Sequence, residues 1–243
     1  MVDISMESDL TFLCLPTKVT DVGYTMGLTK GPATQVYSMK ANFIGFRPGD
    51  RRVQTGRYSF AEGRKKTDPN GKRAFMPSES HTLEVEFKVA YKTTPKVVCA
   101  IDHVQRFLKL SVRARAWAEN ITPTGFRLRL ATFDNSAMIQ LGVSWLAHDS
   151  TDDTIRSGNF NCSDDLRDLR TEISGTATFD RPFPQRPREL FAAFSRFDVP
   201  PTKQLRISCE TPLWTERDVQ YKLRTWKDES AFCGLEGIYV ALL

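Results

Sequence analysis

The chain says nearly the same thing twice. A stretch opening with VQTGRYSF at Val53 carries Arg113 and, twenty positions later, Phe133 within TFDNS. A second stretch opens with IRSGNF at Ile155 and carries Arg206 and, twenty positions later, Trp226 within TWKDES. An internal repeat of roughly ninety residues means that the chain is built from copies of one small unit, not from one large fold.

The period inside each copy identifies the unit. LKLSVRARAW places Leu108, Leu110, Val112, Ala114 and Ala116 on one face and Lys109, Ser111, Arg113, Arg115 and Trp117 on the other, the alternation of a half-buried antiparallel strand. GFRLRLAT repeats it with Phe126, Leu128 and Leu130 inward, and LEVEFKV, PKVVCAI, QLGVSWLA and GLEGIYVALL add short runs between turn residues. No segment has convincing helical periodicity. The expected fold is all-β: two tandem six-stranded antiparallel β-sandwiches, over 53–148 and 155–243, joined by the polar DSTDDT and preceded by a short β-rich segment, 1–52. That segment matches neither copy, and an extra edge strand, a swapped arm and an oligomerisation segment all fit it.

The copies differ in charge. Residues 53–148 hold 15 Lys and Arg against 8 Asp and Glu, whereas residues 154–243 hold 13 of each, so the surplus sits in the first copy. Part of it lies in a loop ten residues longer than its counterpart (31 from Gly56 to Phe87, 21 from Gly158 to Phe179), with Arg64, Lys65, Lys66, Lys72 and Arg73. Such a face suits solubility first, and secondarily sulfated glycans, nucleic acid or an anionic surface. The five cysteines are odd in number and lack CxxC spacing, so free thiols in a reducing compartment are expected, with no metal site. The N-terminus is acidic where a secretory signal is basic, and no apolar run is long enough to span a membrane, which points to a cytoplasmic protein or to unconventional release. With three histidines and no GxSxG, HExxH, P-loop or dinucleotide turn, no catalytic constellation or cofactor is expected; His103 beside Asp102 reads as a strand-end pair.

The repeated Arg and aromatic suggest a binding site. A hairpin brings each strand arginine near the aromatic that ends the returning strand, pairing a guanidinium fork with a flat ring. A ring covers the C–H patch of a sugar while Arg and a carboxylate hold its hydroxyls, and Asp168 in the second copy is a candidate carboxylate. The plainer alternative is that Arg113 and Arg206 are solvated strand residues and that Phe133 and Trp226 cap the core.

The same residues carry a family resemblance. AENITPTGF at Ala118, GVSWLA at Gly142 and the openings VQTG and IRSG resemble the H-type lectins, the family of the snail agglutinins and the discoidin C-terminal domains. The resemblance covers about 185 residues as two copies. It implies six-stranded sandwiches that assemble as trimers and bind terminal galactose or N-acetylgalactosamine of glycoconjugates in clefts between protomers, without catalysis. Carried over by position, the contacts fall on Asp168, Arg206 and Trp226, with Lys227 where the family has His and a family Tyr near Phe232 or Cys233. The first copy keeps Arg113, with Phe133 for the Trp and Asp134 after it, which leaves an altered site or a structural partner. Cys162 stands where snail agglutinins have a disulfide cysteine, but its partner position is Leu223. A defensive agglutinin acting through several weak sites is the function this resemblance implies.

Overall fold

The computed structural model describes residues 2–8, 11–20, 23–32, 34–47, 49–61, 80–106, 110–134, 136, 138–160, 168–201, 204–226 and 230–243. Among them there is no helix, hence none long and apolar enough to cross a membrane. Four strands come first: β1 (Val2–Ser8), β2 (Thr11–Thr20), β3 (Gly23–Lys30) and β4 (Thr34–Lys40). A first set of six follows: β5 (Val53–Ala61), β6 (Ser80–Glu86), β7 (Lys96–Arg106), β8 (Val112–Thr122), β9 (Gly125–Thr132) and β10 (Met138–His148). A second set of six ends the chain: β11 (Ile155–Phe160), β12 (Glu172–Thr178), β13 (Glu189–Val199), β14 (Leu205–Trp214), β15 (Asp218–Arg224) and β16 (Gly234–Leu242).

The two sets pair their strands identically and entirely antiparallel. The first contains β5-β10-β7 and β6-β9-β8, the second β11-β16-β13 and β12-β15-β14. Even the irregularities repeat. Asp102 is the unopposed residue where β7 pairs with β10, and Ser195 is the unopposed residue at the same place on β13. The hydroxyl oxygen of Thr122 accepts the N–H of Thr124 and Gly125 (3.3 and 3.2 Å), as that of Thr215 accepts those of Arg217 and Asp218 (3.0 and 3.2 Å). TPTG and TERD therefore make the same turn although only the threonine is shared. Phe87 meets Tyr91 edge-on at 5.0 Å, and Phe179 meets Phe183 edge-on at 5.3 Å.

The N-terminal segment, which by residue matches neither copy, repeats the pairing of the last four strands of a set. β1 pairs β4 and β2 pairs β3, as β7 pairs β10 and β8 pairs β9. Its turn carries the same threonine: Thr20 donates its hydroxyl to Gly23 O at 3.0 Å, as Thr122 donates to Gly125 O at 3.1 Å. Backbone pairing and one turn are shared while the strand side chains are not, so residue comparison misses the relation.

These three groups of strands join edge to edge in one register. Arg113 and Ala114 of β8 face Asp198 and Phe197 of β13; Arg206 and Ile207 of β14 face Ser5 and Ile4 of β1; Thr11 and Phe12 of β2 face Gln105 and Val104 of β7. Ala114, Phe197, Ile207, Ile4, Phe12 and Val104 are all buried at the joints. The main core fills the sandwich interiors, and a second apolar core forms where the outer faces meet, with Val53, Val98 and Leu146 of the first set against Ile155, Ala193, Ile238 and Val240 of the second. Ile44 and Phe46 from the segment after β4 pack against that second core.

His103 and Asp102 lie inside β7 and not at a strand end, because the strand runs on to Arg106. The Arg57 guanidinium grips Asp102 through two bonds of 2.9 Å and the Ser144 hydroxyl donates to it at 2.6 Å, so the acid is occupied structurally. Burial and then Arg57 pull His103 down to about 4, and burial pulls His148 below its ordinary value. Each ring takes up its proton at a lower pH in the folded chain than in the unfolded chain, which protonates them as pH falls through about 6.5. The unfolded state then binds more protons, so stability should fall as pH drops from about 6.5 towards 4. Asp102, raised by burial against the pull of Arg57 and Ser144, has the opposite sign but is one group against two. Thermal unfolding at neutral pH and near pH 4.5 should show the lower midpoint in acid, with a smaller drop in His148→Asn; a midpoint independent of pH across this window would contradict it.

Candidate functional site

Strand alternation sends Arg113 and Arg206 away from their own sandwich core, yet neither is solvated. Each lies on a joint, where the strand of the next group covers it, and Arg206 is only 6% exposed. The two joints treat their arginine differently.

At the first joint the charge is satisfied by protein. Arg113 Nε donates to Asp198 at 2.8 Å and Nη1 pairs with Asp134 at 3.1 Å, with Asp134 held in a left-handed conformation (φ 53°) at the end of β9. Ser136 donates to Ser111 O at 2.9 Å and accepts the Arg113 backbone N–H at 3.1 Å. The Phe133 ring, half-buried, is covered by the Arg196 guanidinium at 5.4 Å, and Arg196 in turn pairs with Glu236 at 3.0 Å. The sequence places Arg113, Phe133 and Asp134 together, and the fold closes them on themselves.

At the second joint three side-chain atoms have no hydrogen-bond partner among the described residues. Arg206 Nη1, Thr225 Oγ1 and Ser230 Oγ are all buried without a hydrogen bond. Such groups cost about 1–3 kcal/mol each unless something outside the chain meets them. Trp226, half-buried, follows Thr225 at the end of β15, and the ring of Tyr37, 54% exposed, lies 5.9 Å from the Arg206 guanidinium carbon. Arg170 and Phe232 exchange backbone bonds of 2.9 and 3.0 Å, and Thr225 N–H donates to Thr171 O at 2.8 Å, so the exposed Asp168 enters beside this same end of the sandwich.

Phe232 corrects the expectation of a contact at its position: its ring is fully buried in the core, as Met138 is in the first set, and presents no face to a ligand. Lys227 and Cys162 lie outside the described residues. Tyr37, Thr225 and Ser230 escape the residue-by-residue reading. Ser230-Ala231-Phe232 repeats Ser136-Ala137-Met138 in pattern, which is the available signal for Ser230; Tyr37 has none, because it comes from the N-terminal strands.

The outward arginines of the first copy are largely paired. Arg127 meets Glu84 at 2.6 Å, Arg129 meets Glu119 at 3.6 Å and Arg115 meets Glu236 at 3.2 Å, with Arg115 and Arg129 over the Trp117 ring. The basic loop with Arg64 to Lys66 and Lys72 lies outside the described residues. Cys14, Cys99, Cys209 and Cys233 are free thiols; burial pushes Cys99 and Cys209 up to about 12, which makes them poor nucleophiles. Leu223, at the agglutinin cysteine position, is fully buried.

Comparison with known proteins places a family on this architecture. The family model of the H-type lectin domain matches residues 82–148, from β6 through β10, including Arg113, Phe133 and Asp134. The protein named ATP synthase subunits region ORF 7 from Fuscovulum blasticum is 30% identical over 94 residues, which cover 39% of this chain and 76% of that protein. No solved structure matches the chain. The chain therefore belongs to the same family as the Fuscovulum blasticum protein, and its residues 82–148 are an H-type lectin domain.

Proposed function

We propose that the chain is a non-catalytic lectin whose working site is the cleft of Arg206, Thr225, Trp226 and Ser230, with Asp168 and Tyr37 at its rim and Lys227, next in sequence after Trp226, as a further contact. It takes the terminal galactose or N-acetylgalactosamine type of sugar. On this reading residues 53–148 and 155–243 are two H-type lectin-like domains, and only the second keeps an open site. The observation that carries it is the trio of buried groups without a partner, Arg206 Nη1, Thr225 Oγ1 and Ser230 Oγ, at the position where the first set satisfies Arg113 and Ser136 internally. A pyranose offers what such a trio needs, hydroxyls that accept from Arg and exchange bonds with Thr and Ser, and a C–H face for Trp226.

Three associating chains are unnecessary for such a cleft, because β1 supplies within one chain the neighbouring edge that a second protomer supplies in a trimer. A single site of this shallow kind binds weakly, on the order of −4 kcal/mol, and multivalent display raises the useful strength. A glycan array at low and high salt tests the reading against polyanion binding through the basic first copy. Binding to galactose-type termini that holds as salt rises supports it. Binding confined to sulfated glycans or nucleic acid, and falling steeply with salt, would replace it with the polyanion reading.

A further inference from the structure

The N-terminal strands resemble a sandwich that has lost its cover. In both complete sets the sixth strand is flanked by the first (β10 by β5, β16 by β11) and the fifth by the second (β9 by β6, β15 by β12). β4 and β3 hold those positions in the N-terminal group, and each ends its sheet with one edge unpaired among the described residues. Registers and turns identify the corresponding side chains. Leu28, opposite Cys14, stands where Leu130 is opposite Ala116, and Tyr24, just after the Thr20–Gly23 turn, stands where Phe126 follows the Thr122–Gly125 turn. Phe43 continues β4 to the place of Trp145: Tyr24 and Phe43 meet at 4.5 Å, as Phe126 and Trp145 meet at 5.2 Å.

Covered and uncovered versions differ sharply in exposure. Leu130 and Leu223 are 0% exposed whereas Leu28 is 48%; Phe126 is 3% and Tyr24 is 44%. Phe43 is 56% exposed, against 4% for Tyr239, its counterpart in the second set. Beneath lies a cavity of about 1070 Å³ whose lining includes Cys14, Met26 and Met39. The complete sets show what fills such a place. A strand lies on the sixth strand with a glycine against its aromatic: a Cβ on Gly56 would stand 2.4 Å from Trp145, and one on Gly158 would stand 2.7 Å from Tyr239. The residue after the second strand, Phe87, closes over Phe126 and Trp145 at 5.7 and 6.2 Å.

We infer that the open edges of β3 and β4 are a docking surface for a β-strand pair of a partner polypeptide, one strand carrying a glycine over Phe43 and the other an apolar residue over Tyr24. Among the described residues there are two such pairs, β5 with β6 and β11 with β12, and both are engaged in their own sandwiches, so the described part of a second copy has none free to donate. Exposed aromatics beside unpaired strand edges recruit a polypeptide because main-chain bonds give affinity and alternate side chains give selectivity.

The peptide VQTGRYSFA, residues 53–61, is a probe for the β4 edge. With the intact chain and millimolar peptide, hydrogen exchange of the amides at 34–46 should slow by about tenfold. The slowing should vanish for the Gly56→Val peptide, which cannot approach the aromatic, and for the Phe43→Asp chain, whose change lies at an exposed position. Absence of slowing, or equal slowing by the Gly56→Val peptide, would overturn the inference. So would light scattering that shows the chain to be a dimer dispersed by Phe43→Asp, since a second copy would then own the surface.

Discussion

Arg113→Met is expected to destabilise the chain by about 3 kcal/mol, while Arg206→Met leaves its stability unchanged or raises it. The two residues occupy equivalent strand positions, and the contrast comes from their partners. Removing Arg113 strands Asp198, a buried carboxylate whose 2.8 Å ion pair is lost, and frees Asp134 at the end of β9. Removing Arg206 relieves a buried cation whose Nη1 has no hydrogen bond. For a chain of this length the first change should lower the unfolding midpoint by roughly 6–12 °C. Differential scanning calorimetry of both variants is the check. Equal destabilisation would mean that Arg206 is held by protein groups, and its cleft would lose the reason to await a ligand.

Gly158→Val should cost at least about 3 kcal/mol, and Gly56→Val a similar amount. These glycines are needed for close approach. A Cβ on Gly158 would lie 2.7 Å from the Tyr239 hydroxyl oxygen and 2.9 Å from two ring atoms, and Tyr239 is packed against Phe160 and Phe179 at 5.6 and 5.5 Å, so its ring cannot yield. A Cβ on Gly56 would collide with three atoms of the Trp145 ring, and that ring leans on Phe87 and Phe126. Denaturant unfolding should give a lower midpoint for both variants; wild-type midpoints would show that the first strands of the sets do not seat as described.

The glycine also explains why the opening repeat is readable in the sequence. VQTG and IRSG survive as a pair because the backbone must pass over an aromatic in each copy, and GFRLRLAT alternates because one face of its strand is buried, whereas GLEGIYVALL is buried on both faces and reads as a nearly continuous apolar run. Other features leave no such mark. Alternation correctly turns Arg113 and Arg206 from their own core, but it is blind to the joints with the neighbouring strands, where Arg206 is buried and Arg113 half-buried. Phe232 aligns with a family contact by position, yet register places it beside Arg170 with its ring in the core. The N-terminal strands share pairing and a threonine turn with the two sets, and backbone hydrogen bonds constrain side chains too weakly to preserve a visible repeat.

The site is legible to the same partial extent. Arg206 and Trp226 follow from the repeat, whereas Thr225 and Ser230 become notable only once burial shows their hydroxyls without partners, and Tyr37 only once β4 is seen beside β14 through β1.

The most direct measurement is an NMR titration of the isotope-labelled chain with N-acetylgalactosamine, for wild type and Trp226→Ala. Saturable shifts centred on the Trp226 indole, the Arg206 guanidinium and the amides of Thr225 and Ser230, abolished in Trp226→Ala, are the predicted result. No shifts with galactose-type sugars, shifts confined to Arg113 and Phe133, or undiminished binding by Trp226→Ala would contradict the placement of the sugar site at the second joint.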